Sequence, residues 1–127
     1  MTAAELYEAA RAAAARAYAP YSGLCVGAAI EAAGGALHLG VNVESASYGL
    51  SICAERAALA CAVTAGDARL VRVAVAREDG LPITPCGACR QSLAEFGRDL
   101  VVVERRDGQI VERRLDDLLP DAFALPA

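Results

Sequence analysis

Three cysteines and a glutamate restrict the folds open to this chain more than any other feature. Cys53-Ala54-Glu55-Arg56 and Pro85-Cys86-Gly87-Ala88-Cys89 stand some thirty residues apart, and three thiols with one carboxylate at that spacing look like a zinc site with a built-in acid/base. Three protein ligands leave one tetrahedral position open for water, which separates a catalytic zinc from a structural one. Cys86-x-x-Cys89 lets two thiolates converge at the start of a helix, and Cys53, at the start of another, supplies the third. Residues two apart on a helix point to nearly opposite sides, so Cys53 and Glu55 share a site only at a helix end. The metal is therefore expected between two helix N-termini, whose partial positive charge favours the thiolate form of each cysteine.

Charge counting adds a requirement. Three thiolates around a divalent zinc carry net negative charge, and a bound hydroxide adds more, so such a cluster deprotonates its water reluctantly. A neighbouring cation restores the electrophilicity that lowers the water pKa. Arg56, next to Glu55, is the best-placed candidate, and Arg90, next to Cys89, is the second; the plain alternative for each is a surface salt bridge. Cys25 in a strand and Cys61 in an alanine-rich helix read as buried inert thiols rather than ligands.

The remaining chain reads as scaffold. Thr2-Ala3-Ala4-Glu5 has the form of a capping box, and the alanine-rich run to about Tyr18 predicts a first helix that ends before Pro20. Tyr21-Ser22-Gly23 turns into an apolar run, Leu24 to Ala32, and Gly34-Gly35 returns the chain into Ala36 to Val43, which predicts a β-hairpin. Alternation in the second strand sets His38 opposite Leu37, Leu39 and Val41, so the only histidine is expected as an exposed strand residue, with zinc ligation as the other reading. A helix is expected from Cys53 to Ala65, a strand from Arg69 to Arg77 and a helix from Cys86 to Gly97. Pro82 and Pro85 keep the segment before that helix extended. Leu100 to Arg105 and Gln109 to Arg114 form a second hairpin around Asp107-Gly108, followed by a helical turn, Asp116 to Leu119, and a tail, Pro120 to Ala127. The expected fold is α/β: one domain over residues 1–127, a five-stranded mixed sheet covered by helices on both faces, in the order α-ββ-α-β-α-ββ.

Composition narrows the partners. A chain of 127 residues can bury a core without disulfide support. Its five cysteines, with no export signal, point to metal or thiol chemistry in a cytoplasmic protein. The apolar share of 56 % is inflated by alanine, and the longest uncharged stretch, roughly Ala17 to Ile30, is broken by Pro20, Gly23 and Gly27, so no membrane span is expected. A formal net charge of −4 argues against a phosphate-binding face and for a small uncharged substrate rather than a nucleic acid.

Cys53-Ala54-Glu55 followed by Pro85-Cys86-Gly87-Ala88-Cys89 resembles the signature of the short, all-cysteine cytidine deaminases. The resemblance covers most of the chain: Tyr21-Ser22, Val26-Gly27-Ala28-Ala29, Asn42-Val43-Glu44, Ser47-Tyr48-Gly49-Leu50, Cys89-Arg90-Gln91 and Leu118 to Phe123 match as well. It implies a cytidine deaminase-like fold, one zinc ion per subunit held by Cys53, Cys86 and Cys89, and hydrolytic deamination of cytidine and deoxycytidine to uridine and deoxyuridine, in pyrimidine salvage or in detoxification. In that scheme Glu55 takes the proton from zinc-bound water and delivers it to ring N3, hydroxide attacks C4, and Glu55 protonates the leaving amine. The resemblance also implies that Asn42 and Glu44 hold the ribose 3′-hydroxyl, that the Ala54 N–H meets the 2-oxo group, and that the Thr84 carbonyl accepts from the amine. Asn and Glu two apart at a strand end do point to one side, as a paired hydroxyl clamp needs; turn capping by Asn42 with a solvated Glu44 is the alternative. Leu24 and Tyr48 join the substrate contacts, Leu24 standing where the family commonly has phenylalanine. Phe123 is implied to cap the base in a neighbouring subunit's site, hence a homotetramer with shared sites; a Phe123 tucked against its own subunit is the other reading. Two further functions stay in view: deamination of a modified cytosine nucleoside of the blasticidin type, and a structural zinc module with His38, Cys25 or Cys61 as fourth ligand.

Overall fold

The computed structural model describes residues 1–126; Ala127, the end of the expected tail, lies outside them. Helix α1 (Ala3–Ala14) opens on the expected capping box, in which Thr2 Oγ1 accepts from the Glu5 N–H and the Glu5 carboxylate accepts from the Thr2 N–H, both at 3.1 Å. It stops four residues before Tyr18. The Tyr18 backbone is taken by the strand region instead: its N–H donates to the Asn42 carbonyl at 3.0 Å and its carbonyl accepts from the Glu44 N–H at 2.9 Å. Tertiary pairing thus overrides the helix propensity of Ala15 to Ala17.

Strands β1 (Val26–Ala32), β2 (Leu37–Val41), β3 (Leu70–Arg77), β4 (Val101–Arg106) and β5 (Gln109–Arg114) form one mixed sheet in the order β2-β1-β3-β4-β5. All neighbours pair antiparallel except β3 and β4, which are parallel and joined through helix α3 (Gly87–Ala94). Both hairpins close as expected, the second at Asp107-Gly108 with positive φ at both residues. Strand β1 begins at Val26 rather than Leu24 because the Asn42 side chain replaces the ladder there. It accepts from the Val26 N–H and donates to the Leu24 carbonyl, each at 2.8 Å.

The sheet is buried on both faces. Along β1, Ala29 turns to α1 while Ala28 and Ile30 turn to the other side. On the α1 face Leu6, Tyr7 and Ala10 pack over Ala29, Ala74, Ala76 and Val103. On the opposite face α2 (Ala54–Thr64), α3 and the short α4 (Leu115–Leu118) cover Val73, Val75 and Val102 with Ala58, Leu59, Leu93 and Leu115. Ile30, Leu93 and Leu100 are fully buried, each stabilising the fold by roughly 1.5–3 kcal/mol. A bulge between Glu31 and Ala32, opposite Arg72 and Leu70, lets Leu70 and Val73 face the same layer despite their odd separation.

Two glycines set how closely the helices approach the sheet. A Cβ on Gly27 would lie 1.9 Å from the Ala10 carbonyl oxygen, and one on Gly40 would lie 2.2 Å from the Ala58 nitrogen. Backbone-to-backbone packing of α2 on β2 at Gly40 turns the even positions of β2 inward. His38 is therefore not the exposed residue expected: its side chain is only 11 % exposed, and its Nε2 lies 2.7 Å from Asp67 Oδ2. Leu37 and Leu39 are left on the outer side, 38 % and 40 % exposed.

Candidate active site

Cys53 is the N-cap of α2 and Cys86 the N-cap of α3, both with extended backbone, so each helix starts one residue later than the sequence suggests. Cys89 is the third residue of α3. N-cap and third helical position are the pair whose side chains meet over a helix start, which is how Cys86-x-x-Cys89 converges. The three sulfurs all lie within 4.8 Å of one another, with Cys53 Sγ and Cys86 Sγ 3.8 Å apart. A tetrahedral zinc with bonds of about 2.3 Å needs sulfurs separated by roughly 3.8 Å, so the donors fit that ion.

The electrostatics also call for a cation. Burial pushes the Cys89 thiol well above the usual thiol range, and the Glu55 carboxylate pushes it further. Burial likewise raises Cys86, but the Cys89 N–H and the Cys89 and Cys53 thiols outweigh it and leave Cys86 below the ordinary value. A metal ion between the three sulfurs would offset the repulsion among their thiolates. Arg56, in the first turn of α2, brings Nη2 to 3.8 Å from Cys53 Sγ. Its guanidinium pKa is raised first by Cys53 and also by Cys89. Arg56 Nε is buried and has no hydrogen-bond partner among the described residues. Arg90 behaves differently: its donors go to oxygens, the Pro85 carbonyl at 2.8 Å, the Leu118 carbonyl at 2.7 Å and Thr84 Oγ1 at 3.2 Å.

Glu55, the second residue of α2, is 4 % exposed. Burial raises its pKa, against the opposing effects of its own backbone N–H, Cys89 and Arg56. It is a carboxyl group beside the thiol cluster without belonging to it, and its raised pKa suits a group that both takes and gives protons.

A cavity of about 240 Å³ opens in front of this cluster, below the roughly 300–1,000 Å³ of pockets for drug-sized ligands. Leu24, Asn42, Glu44, Cys53, Ala54, Glu55, Thr84 and Cys86 line it, together with Val26, Ser51, Ile52 and Ile83. None of the last four is a site residue in the sequence reading: Val26 stands there only within the matching segment Val26 to Ala29, and Ser51-Ile52 and Ile83 were legible only as neighbours of Cys53 and Thr84. The Glu44 carboxylate accepts from the Tyr21 N–H at 3.0 Å, the Ser22 N–H at 3.1 Å and the Ser22 hydroxyl at 2.5 Å, and these bonds, the Ser22 hydroxyl first, hold its pKa below the usual carboxylate value. Tyr48 and Phe123 do not line this cavity. Tyr48, 75 % exposed, borders a separate hollow with Tyr21, Ser22, Glu44 and Ser51. Phe123, 71 % exposed, lies beside Ala94, Glu95 and Arg98 at the C-terminal end of α3, and its carbonyl accepts from Gln91 Nε2 at 2.9 Å.

The candidate fourth ligands are not part of the cluster. Among the described residues Cys53, Cys86 and Cys89 form the one metal-type group. His38 is paired with Asp67. Cys61 is exposed rather than buried, and Cys25 is half-buried, its thiol raised by burial and then by Glu78.

An open three-thiol site at two helix starts, with a buried carboxyl beside it, has the donors and the proton carrier of a zinc-dependent hydrolytic enzyme. The family model for the cytidine and deoxycytidylate deaminase zinc-binding region matches residues 1–105, and the chain belongs to that family. A cytidine deaminase from Mycobacterium tuberculosis is 45 % identical over 113 residues, covering 89 % of this chain and 83 % of the relative. One from Halalkalibacterium halodurans is 44 % identical over 109 residues, covering 84 % and 83 %. Among solved structures, cytidine deaminase from Burkholderia pseudomallei superposes with a TM-score of 0.90 at 49 % identity, covering 97 % of this chain and all of that one. The M. tuberculosis enzyme superposes at 0.89 with 42 % identity, covering 98 % and 99 %.

Proposed function

We propose that residues 1–127 act as one deaminase domain that converts cytidine and deoxycytidine, with water, to uridine and deoxyuridine and ammonia. The observation that carries this reading is Glu55: a buried carboxyl of raised pKa, not a metal ligand, facing a nucleoside-scale cavity beside three convergent thiols. Cys53, Cys86 and Cys89 hold one zinc ion, which when bound acts as a Lewis acid and makes water a nucleophile at neutral pH. Glu55 accepts a first proton from the attacking water and delivers it to ring N3 so that C4 becomes electrophilic; it then takes the second water-derived proton from the hydroxyl now on C4 and passes it to the amine, which departs as ammonia while C4 becomes the carbonyl of the product.

The cavity wall supplies the remaining roles. The Ala54 N–H is an orphan donor of the first turn of α2 and meets the 2-oxo group. The Thr84 carbonyl accepts from the 4-amine. Asn42 and Glu44 hold the ribose 3′-hydroxyl with the bonding capacity that their backbone contacts leave over, since an ionised carboxylate has about four acceptor sites. Leu24 gives an apolar wall. Arg56 offsets the thiolate charge through Cys53. Phe123, exposed and outside the cavity, caps the base in a neighbouring subunit's site of a homotetramer, and Tyr48 contacts substrate from the hollow it shares with Glu44 and Ser51.

No helix is long and apolar enough to cross a membrane. None of the five cysteines is in a disulfide, which suits a reducing cytoplasm, and turnover of cytidine gives the protein a place in pyrimidine salvage. The test is loss of cytosine absorbance with cytidine, deoxycytidine and blasticidin as substrates, on the unsubstituted protein and on Glu55→Gln. Turnover of the first two that falls at least a hundredfold in Glu55→Gln, with zinc retained, is expected. Negligible cytidine turnover alongside blasticidin turnover would overturn the substrate, and normal turnover by Glu55→Gln would overturn the mechanism.

A further inference from the structure

The segment that carries Thr84 is held in an unusual way. Among the described residues, Pro82 to Pro85 takes part in no backbone–backbone hydrogen bond and belongs to no helix or strand. Its two prolines have no N–H to offer. Side chains hold it instead. Arg90, in the first turn of α3, donates to the Pro85 carbonyl and to Thr84 Oγ1, and ties both to the Leu118 carbonyl of α4. From the other side Arg113 of β5 brings Nη2 to 3.5 Å from Thr84 Oγ1. Arg113 is in turn paired with Glu104 of β4, which also takes Arg106 Nε at 3.2 Å.

Glu104 is the part that requires explanation. Its side chain is fully buried, on the sheet face that Val102, two residues earlier on the strand, shares. A buried carboxylate is costly unless paired, so its position fixes where the Arg113 guanidinium must sit. One hydroxyl oxygen has two acceptor lone pairs, and two guanidinium groups converge on Thr84 Oγ1. The Thr84 carbonyl has no hydrogen-bond partner among the described residues, and Thr84 lines the site cavity.

We propose that Glu104, Arg113 and Arg90 form a polar brace that positions Thr84, so that its carbonyl reads the 4-amino group that distinguishes substrate from product. The inference rests on the deaminase reading above. The three brace residues are positioning residues: none lines the cavity, and they act through the Thr84 hydroxyl and the Pro85 carbonyl.

The experiment uses two zinc-loaded variants. Glu104→Met/Arg113→Met removes the brace on the sheet side without leaving a buried charge unpaired, and Thr84→Val removes the gripped hydroxyl while keeping the backbone carbonyl. Both are compared with the unsubstituted protein for zinc content, the KM of cytidine, and the inhibition constant of uridine, which has no 4-amine. The expected result is a cytidine KM raised about five- to tenfold with uridine inhibition within twofold and zinc content unchanged. A general loss of structure moves cytidine and uridine together, and that outcome overturns the proposal; so does an unchanged cytidine KM. If the double variant does not fold, Thr84→Val alone decides. Failure of the underlying reading is seen separately, as absence of cytidine turnover by the unsubstituted protein.

Discussion

Gly40→Ala tests whether the contact between β2 and α2 sets the geometry of the site. The added Cβ meets the Ala58 nitrogen at 2.2 Å, the Ala54 carbonyl oxygen at 2.5 Å and the Ala58 Cα at 2.8 Å. All three are backbone atoms, so no rotamer change relieves the clash. Restoring ordinary contact from 2.2 Å to 3.4 Å requires α2 to retreat by about 1.2 Å. That movement is centred on the first turn of α2, which carries Cys53, Ala54, Glu55 and Arg56. Overpacking of this kind costs about 3 kcal/mol, or roughly 10 °C in Tm for a domain of this size. Misplacing catalytic groups by about 1 Å costs on the order of a hundredfold in rate. Thermal denaturation followed by circular dichroism, with cytidine turnover at a temperature where the variant is folded, measures both. Gly34→Ala is the control, because nothing lies within 4 Å of a Cβ there. A Gly40→Ala protein with unchanged Tm and turnover would refute the argument that α2 is seated by backbone contact at this point.

Three further outcomes are expected. Arg56→Ala lowers zinc retention in a chelator competition about tenfold or more, since its guanidinium faces Cys53 and Cys89; unchanged zinc retention and rate would remove it from the charge balance. Glu31, directly opposite Arg72 across β1 and β3, has its pKa held below the ordinary 4.5 by the Arg72 bonds, against burial. Its contribution is fully present above that value and is lost as pH falls through the folded pKa, so Glu31→Gln costs about 1–2 kcal/mol in urea melts at pH 7 and progressively less as the pH is lowered below 4.5. A cost that stays constant down to the acid limit of folding contradicts the ion-pair account. If Phe123 is shared between subunits as proposed, Phe123→Ala leaves the folded subunit intact and weakens cytidine turnover; light scattering that finds a monomer at working concentration excludes that sharing.

Much of the site was legible because zinc ligands and their spacing are local patterns. Cys86-x-x-Cys89 encodes its own convergence, as N-cap and third residue of one helix. Cys53 and Glu55 could share a site only at a helix start, and Cys53 is the N-cap of α2. The partners of long polar side chains were not legible in this way. The sequence ranks Arg56 ahead of Arg90, each next to a motif residue, but does not show that one faces sulfur while the other reaches three oxygens. A side chain of four rotatable bonds takes its partner from whatever the fold brings near. Glu104 carried a faint signal, since it shares the inward parity of Val102, but nothing in the chain near it announces Arg113 or Thr84.

The order of helices and strands, the two hairpins, the three thiols and the non-ligand carboxyl follow from the sequence alone, because periodicity, capping and turn chemistry act over a few neighbouring residues. Tertiary structure decided the rest. It drew Tyr18 out of the first helix to pair with Asn42 and Glu44, turned His38 toward α2, and placed Tyr48 and Phe123 outside their own chain's cavity. Each of these depends on backbone and side-chain groups far apart in sequence satisfying one another once the sheet and its helix layers have closed.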